Sequence, residues 1–367
     1  MAAIPRSLRL LAFAGAVGVC LLGLAGEAAV GERSFGPAAD GPVPDFTLTQ
    51  TSTRDTLTLS AFSDQPILLF FYDGGDLASW NAISYVNEWH RRYAGDGLKV
   101  IGVHSPELEP LRLDYNGLEV TSLTRINYTA GMDPDRSIYS SYRLRNLPAY
   151  FVLRPGLEIA YATSDPKPYA QVETAIQSLL AELKPGIIHP FLVKPLRPTD
   201  DPAKTIIAAT PRVDFGYLSG VIADCDSSGY DRQVRYSDSG QREKGKVYLE
   251  GYWRVGPTSI GHESKYASFG DRLRIIYSGK DVWLLAGFDY DSPQRVYIKQ
   301  DRFYIDKAIW GKSVRGDEVG QPYILMRYSI PVHIVSNPTF GAHELELIPA
   351  EGDVAFYRLF FVDAVAD

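Results

Sequence analysis

The chain has 367 residues, 45% of them hydrophobic and 22% charged, and a formal charge of −7. That length exceeds one typical domain and predicts two. Lysine and arginine are spread rather than clustered, so neither nucleic acid nor an anionic lipid surface is expected as a partner.

Residues 1–29 read as an export signal. Arg6 and Arg9 open it, residues 10–25 form an uncharged apolar run, and Ala25, Gly26, Ala28 and Ala29 offer a peptidase small side chains. The run is close to the roughly 17-residue minimum for crossing a bilayer, so an uncleaved anchor is the alternative. Val19 stands before Cys20, and no lipobox results. No later segment is long or apolar enough to span, which places the cleaved chain in the periplasm or at the cell surface. Cys20 and Cys225 are the 2 cysteines. Once the leader is removed a single thiol remains, which excludes an intramolecular disulfide and catalysis by a cycling thiol pair.

Residues 30–41 form a Gly/Pro/Ala linker, and residues 42–184 carry an alternating α/β pattern. Short strands are expected at 45–48 and 56–59. Residues 66–72, Pro-Ile-Leu-Leu-Phe-Phe-Tyr, are a continuous apolar run and predict a strand buried on both faces. From Leu77 to Tyr93 the period becomes helical, with Trp80, Ile83, Val86 and Trp89 or His90 on one side and Gly95-Asp96-Gly97 as the stop. Residues 98–103 return to a strand and complete a crossover unit. A helix over 135–144, capped by Asp133 or Asp135, precedes a strand at 149–153 and an antiparallel partner at 158–162. An amphipathic helix over 169–183 closes the domain.

Residues 185–211 hold six prolines and read as a linker lying over the surface. Beyond it, residues 212–367 have an all-β texture of about eight strands, expected to fold as a sandwich of the jelly-roll kind. Ser278-Gly279-Lys280-Asp281 is the expected hairpin connection.

The first domain's element order, with Pro148 before a strand hairpin and a last helix, resembles the thioredoxin-like fold. Tyr85-Val86-Asn87-Glu88-Trp89, Tyr93 and the run from Gly97 through Val100-Ile101-Gly102-Val103-His104-Ser105-Pro106-Glu107 resemble exported thiol–disulfide reductases of the TlpA/DipZ redoxin type. In the second domain, residues 210–217 and 249–257 resemble segments of the β-sandwich that DipZ-type proteins carry, which is similar to carbohydrate-binding modules. The likeness runs over about residues 42–363. It does not extend to a membrane-spanning electron-carrier domain. Registered on this pattern, the redox Cys-x-x-Cys falls on Asp76-Leu77-Ala78-Ser79, and both cysteines are missing.

A thiolate at a helix N-terminus gains from backbone N–H groups and the helix dipole, and a second thiol one turn on resolves the mixed disulfide. Asp76 takes the same field as a fixed anion and reads first as a helix cap; Ser79 has no base in sequence reach. The alternatives are acid chemistry at Asp76 or a retained ligand or peptide groove formed by Tyr72, Asp76, Trp80, Leu147 and Pro148. The resemblance implies a cis Leu147–Pro148 bond. An oxidoreductase is implied by family likeness alone, so no catalytic residue is assigned, and recognition of an envelope protein or a glycan is expected instead.

The six histidines lack zinc spacing, and no nucleotide loop or hydrolase elbow is present, so no metal or cofactor is implied. His104 reads as a satisfied structural histidine and Cys225, in an acidic loop, as inert or as a dimer contact. Asp289-Tyr290-Asp291 is a weak calcium pattern. Of the tryptophans in the second domain, Trp253 and Trp283 are expected in the core, and Trp310 is the candidate for an exposed, sugar-stacking ring.

Overall fold

The first half of the chain runs β1 (Thr47–Gln50), β2 (Thr56–Thr58), β3 (Ile67–Tyr72), α1 (Leu77–Tyr93), β4 (Lys99–His104), α2 (Asp114–Leu123), β5 (Thr129–Met132), α3 (Ser137–Ser141), β6 (Ala149–Arg154), β7 (Glu158–Thr163) and α4 (Tyr169–Leu183). The computed structural model describes residues 36, 41–223, 225, 227–263, 270–288, 294–350 and 353–366. The expected leader at 1–29, most of the expected linker at 30–41 and the cluster Asp289-Tyr290-Asp291 lie outside the described residues. No helix among the described residues is long and apolar enough to cross a membrane.

These strands form a seven-stranded sheet in the order β2-β1-β5-β4-β3-β6-β7. The pairs β3–β4 and β4–β5 are parallel and the others antiparallel. This is a thioredoxin-like α/β domain. Every residue of β3 is buried, and strand alternation divides them between two cores. Leu68, Phe70 and Tyr72 pack with Val86 and Trp89 of α1 and Ile176 of α4, whereas Ile67, Leu69 and Phe71 pack with Ile138 of α3 and Tyr142.

Two elements escape the hydrophobic pattern. Helix α2 turns Asn116, Gly117 and Val120 inward and leaves Leu118 and Leu123 exposed, so its polarity is inverted and no apolar stripe marks it. Its reason is tertiary: Asn116 donates to Pro110 O at 2.6 Å and accepts from Ser329 N at 3.2 Å, in the second half of the chain. Strand β5 is a short Thr-Ala-Gly-Met, and a Cβ on Gly131 would lie 2.1 Å from Leu48. That close approach replaces the bulky residues that announce a strand.

Residues 185–205 form a strap fastened along α1 and α4. Val193 N donates to Glu173 at 2.7 Å, Leu196 N to the Tyr85 hydroxyl at 2.8 Å, and Arg197 to Asn81 O at 3.0 Å. The strap ends in Ile206–Ile207, which pairs with Ala364–Val365.

The remainder is all-β, as the sequence texture predicts, but its strands are longer and more numerous than expected. Eleven described strands join in one antiparallel network, dominated by Arg272–Phe288 and Pro331–Pro349. Ser278-Gly279-Lys280-Asp281 is not a hairpin connection, because it lies within the 17-residue strand Arg272–Phe288. Its turn-like composition marks register shifts at Gly279/Asp281 and Val282/Trp283. The irregularity changes parity: Leu273, Ile275 and Tyr277 face the core before it, Val282, Leu284 and Ala286 after it.

The two halves share a core of Leu108, Leu111, Leu285 and Phe360, with Leu77, Trp283 and Tyr357 packed against it. Leu285 is 1% exposed. Leu285→Ala is expected to lower the unfolding free energy by about 2–5 kcal/mol, read by urea denaturation. An unchanged midpoint would contradict a shared core.

Candidate functional site

The turn between β3 and α1 is Asp73-Gly74-Gly75-Asp76. Asp76 has extended backbone angles and caps α1, its carboxylate accepting from Ser79 N at 3.1 Å. Ser79 is fully buried, and its Oγ faces back into the turn, accepting from Asp73 N at 3.1 Å. The pair therefore closes the helix N-terminus on itself. Neither side chain is a thiol, and the cap takes up the Ser79 N–H that would otherwise help to stabilise a thiolate.

Asp73 organises the rest of the turn. Its carboxylate accepts from Gly75 N at 2.7 Å and Glu107 N at 3.1 Å, and it lies 3.8 Å from Arg358 of the β region. Arg358, 3% exposed at its side chain, also pairs with Glu107 and, at 2.6 Å, with Asp214. A second arginine, Arg212, reaches Asp76 at 3.6 Å and Asp214 at 3.0 Å. Burial, followed by the nearby Asp73 carboxylate, pushes the Asp76 carboxyl above its usual range, against the pull of Ser79 N–H, Arg212 and Arg358.

The surface above this turn is a polar cavity of about 210 Å³, whose walls include Asp76, Glu107, Arg136, Arg145, Leu147 and Arg212. The Leu147–Pro148 bond is cis; Leu147 is half-buried on the cavity wall and Pro148 is buried. Two residues expected in the groove are elsewhere. Tyr72 is 1% exposed and stacks on Phe70 and His104 at 5.4 and 5.1 Å, because it ends the doubly buried strand. Trp80 donates its indole N–H to Gly74 O at 2.7 Å and meets the edge of Trp283 at 6.2 Å, so the β region covers it.

Trp310 is half-buried rather than an exposed platform. Its indole N–H donates to Ile305 O at 3.0 Å, and its ring packs against the β-region core. Trp253 is fully buried, and Trp283 stacks on His333 at 4.7 Å. Cys225 Sγ lies 3.6 Å from the Tyr236 hydroxyl. Among the described residues there is no group of three His, Cys, Asp or Glu placed to hold a metal.

Sequence reasoning missed Arg212, Asp214 and Arg358, which complete the site from more than a hundred positions away.

His104 lies beneath the turn. Its Nε2 accepts from Gly74 N at 2.9 Å, which leaves the proton on Nδ1, 3.0 Å from Met132 Sδ. Burial lowers its pKa to about 4 from an ordinary 6.5, Asp73 opposing the shift. The unfolded chain thus takes up this proton at a higher pH than the folded one, and folding stability falls as pH drops from about 6.5 towards 4. At about 1.36 kcal/mol per unit the loss reaches about 3 kcal/mol. His104→Gln is expected to flatten that part of the stability profile measured by denaturant titration at several pH values; an unchanged slope would reassign it.

Residues 39–162 match the AhpC/TSA family. The chain is 25% identical over 241 residues to Protein DipZ of Mycobacterium bovis, a match spanning 65% of this chain and 33% of that protein. It thus spans about a third of the length of the curated relatives it matches. Among solved structures, the thioredoxin domain of a thiol-disulfide oxidoreductase from Bacteroides vulgatus aligns with a TM-score of 0.33 and 15% identity, over 38% of this chain and 97% of that one. The peroxidoxin BcpB of Mycobacterium tuberculosis aligns with a TM-score of 0.32 and 17% identity, over 42% and 98%. This chain is thus similar to redoxin and DipZ proteins, and its N-terminal half carries their thioredoxin-like fold.

Proposed function

We propose that this chain is an exported, redox-silent thioredoxin-like protein, a binding or scaffolding component of the cell envelope that uses its altered helix N-terminus for recognition. The observation that supports this reading is that Asp76 and Ser79, which the family likeness sets at the two sulfur positions, are each engaged in closing the turn. Dithiol exchange needs a thiolate and a resolving thiol. Cys225 supplies neither beside the turn, being in the β region. Insulin reduction with dithiothreitol is expected to proceed at the rate of the no-protein control. Turnover above that control would overturn the reading.

Glycan recognition is a second reading, favoured by one feature of the β region. A cleft of about 460 Å³ is lined by Asp231, Arg254, Ser259, Glu263, Asp353 and Tyr357, a mixture of acceptors, donors and one ring suited to sugar hydroxyls. Trp310, the ring expected in this role, is engaged within the protein. A polysaccharide array is expected to give a signal that Arg254→Ala removes. Absence of any signal, or one indifferent to that change, would remove the support.

A further inference from the structure

We propose that the cavity between the two halves, above the α1 turn, binds a small polyhydroxylated carboxylate such as a sugar acid. The inference rests on reading this region as a recognition site and names the ligand class. The side-chain contacts at its walls lead to it. The four carboxylates at the turn share two arginines: Asp73, Glu107 and Asp214 meet Arg358, and Asp76 and Asp214 meet Arg212.

Arg136 and Arg145, on the opposite wall, form no ion pair among the described residues. Arg136 is held in place. Its backbone has φ 59°, and its guanidinium lies 3.9 Å over the ring of Tyr139, another wall residue. Two guanidinium groups lining a common cavity with no carboxylate in direct contact match a ligand carboxylate, which each can grip through paired N–H donors. Asp76 and Glu107, across from them, are acceptors and suit the hydroxyl donors of the same molecule.

Size and polarity narrow the class. A volume of about 210 Å³ lies below the about 300–1,000 Å³ typical of drug-sized ligands, so the occupant is small. Leu147 is the one aliphatic side chain among the described wall residues, which disfavours an apolar peptide. The groove implied by family likeness has thus changed its chemistry as well as lost its sulfur.

Isothermal titration of the purified chain at constant ionic strength tests this with glucuronate, glucose and inorganic phosphate. Glucuronate is expected to bind, and Arg136→Gln or Arg145→Gln to weaken it at least tenfold, while glucose, lacking the carboxylate, gives no heat. Both arginines lie on the outer wall, and unchanged thermal melting of the variants separates lost binding from lost folding. No glucuronate binding, equal binding by both variants, or binding of phosphate alone would overturn the proposal. Insulin turnover together with arginine-dependent glucuronate binding would overturn the redox-silent reading and leave this one standing.

Discussion

A guanidinium taken out of water is costly unless carboxylates and carbonyls replace its hydration. Arg358 meets that condition by drawing on both halves of the chain. Asp73, Glu107 and the carbonyl of Gly75 come from the thioredoxin-like domain, and Asp214 comes from the β region that Arg358 itself belongs to. Separating the halves would break several of these charge contacts at once, so this cation and the shared apolar core together hold the β region against the turn. The position they fix is the mouth of the β3–α1 turn. Leu111 and Leu285 then close around Gly75, where an added Cβ would lie 2.3 and 3.3 Å from their methyl groups.

The turn itself shows how one electrostatic field can serve two purposes. The free N–H groups at the start of α1 favour a negative charge. A thiolate there would be reactive because it stays available; Asp76 is an anion tied to Ser79 N and facing Arg212. Ser79 is bound from the other direction by Asp73 N. Backbone and side chains at the start of α1 thus form a lock. What is left exposed is a cavity walled by carboxylates and guanidinium groups.

Those parts of the fold governed by local periodicity were legible in the sequence. β3 announced itself by an unbroken apolar run and α1 by Trp80, Ile83, Val86 and Trp89, because each packs on a large apolar neighbour. Helix α2 was not legible, since Asn116 and Gly117 face inward and their partners, Ser329 and Met132, are distant in the chain. Gly279 and Asp281 read as a turn when they mark an irregularity inside a long strand. At the site, Asp76 could be read as the cap of α1 from its place just before the helical period, whereas the pairing of Asp76 with Ser79 came from the family likeness. Tyr72 and Trp80 could not be placed, because whether a ring at a strand or helix end is open depends on what the second half of the chain lays over it. Arg212 and Arg358 were invisible for the same reason: a surface arginine and a buried one look alike until their partners are known.

The proline-rich strap gives the molecule an unusual kind of connection. Between its two ends it is held by Glu173, Tyr85, Asn81 and the paired segment Ile206–Ile207 with Ala364–Val365. It is therefore a seam rather than a hinge. A protease that cut it near Pro195 would break the polypeptide without releasing either half, because the stitches lie on both sides of the cut and the buried interface persists. The two halves are thus joined by these stitches and by a buried apolar interface, and not by a bare linker.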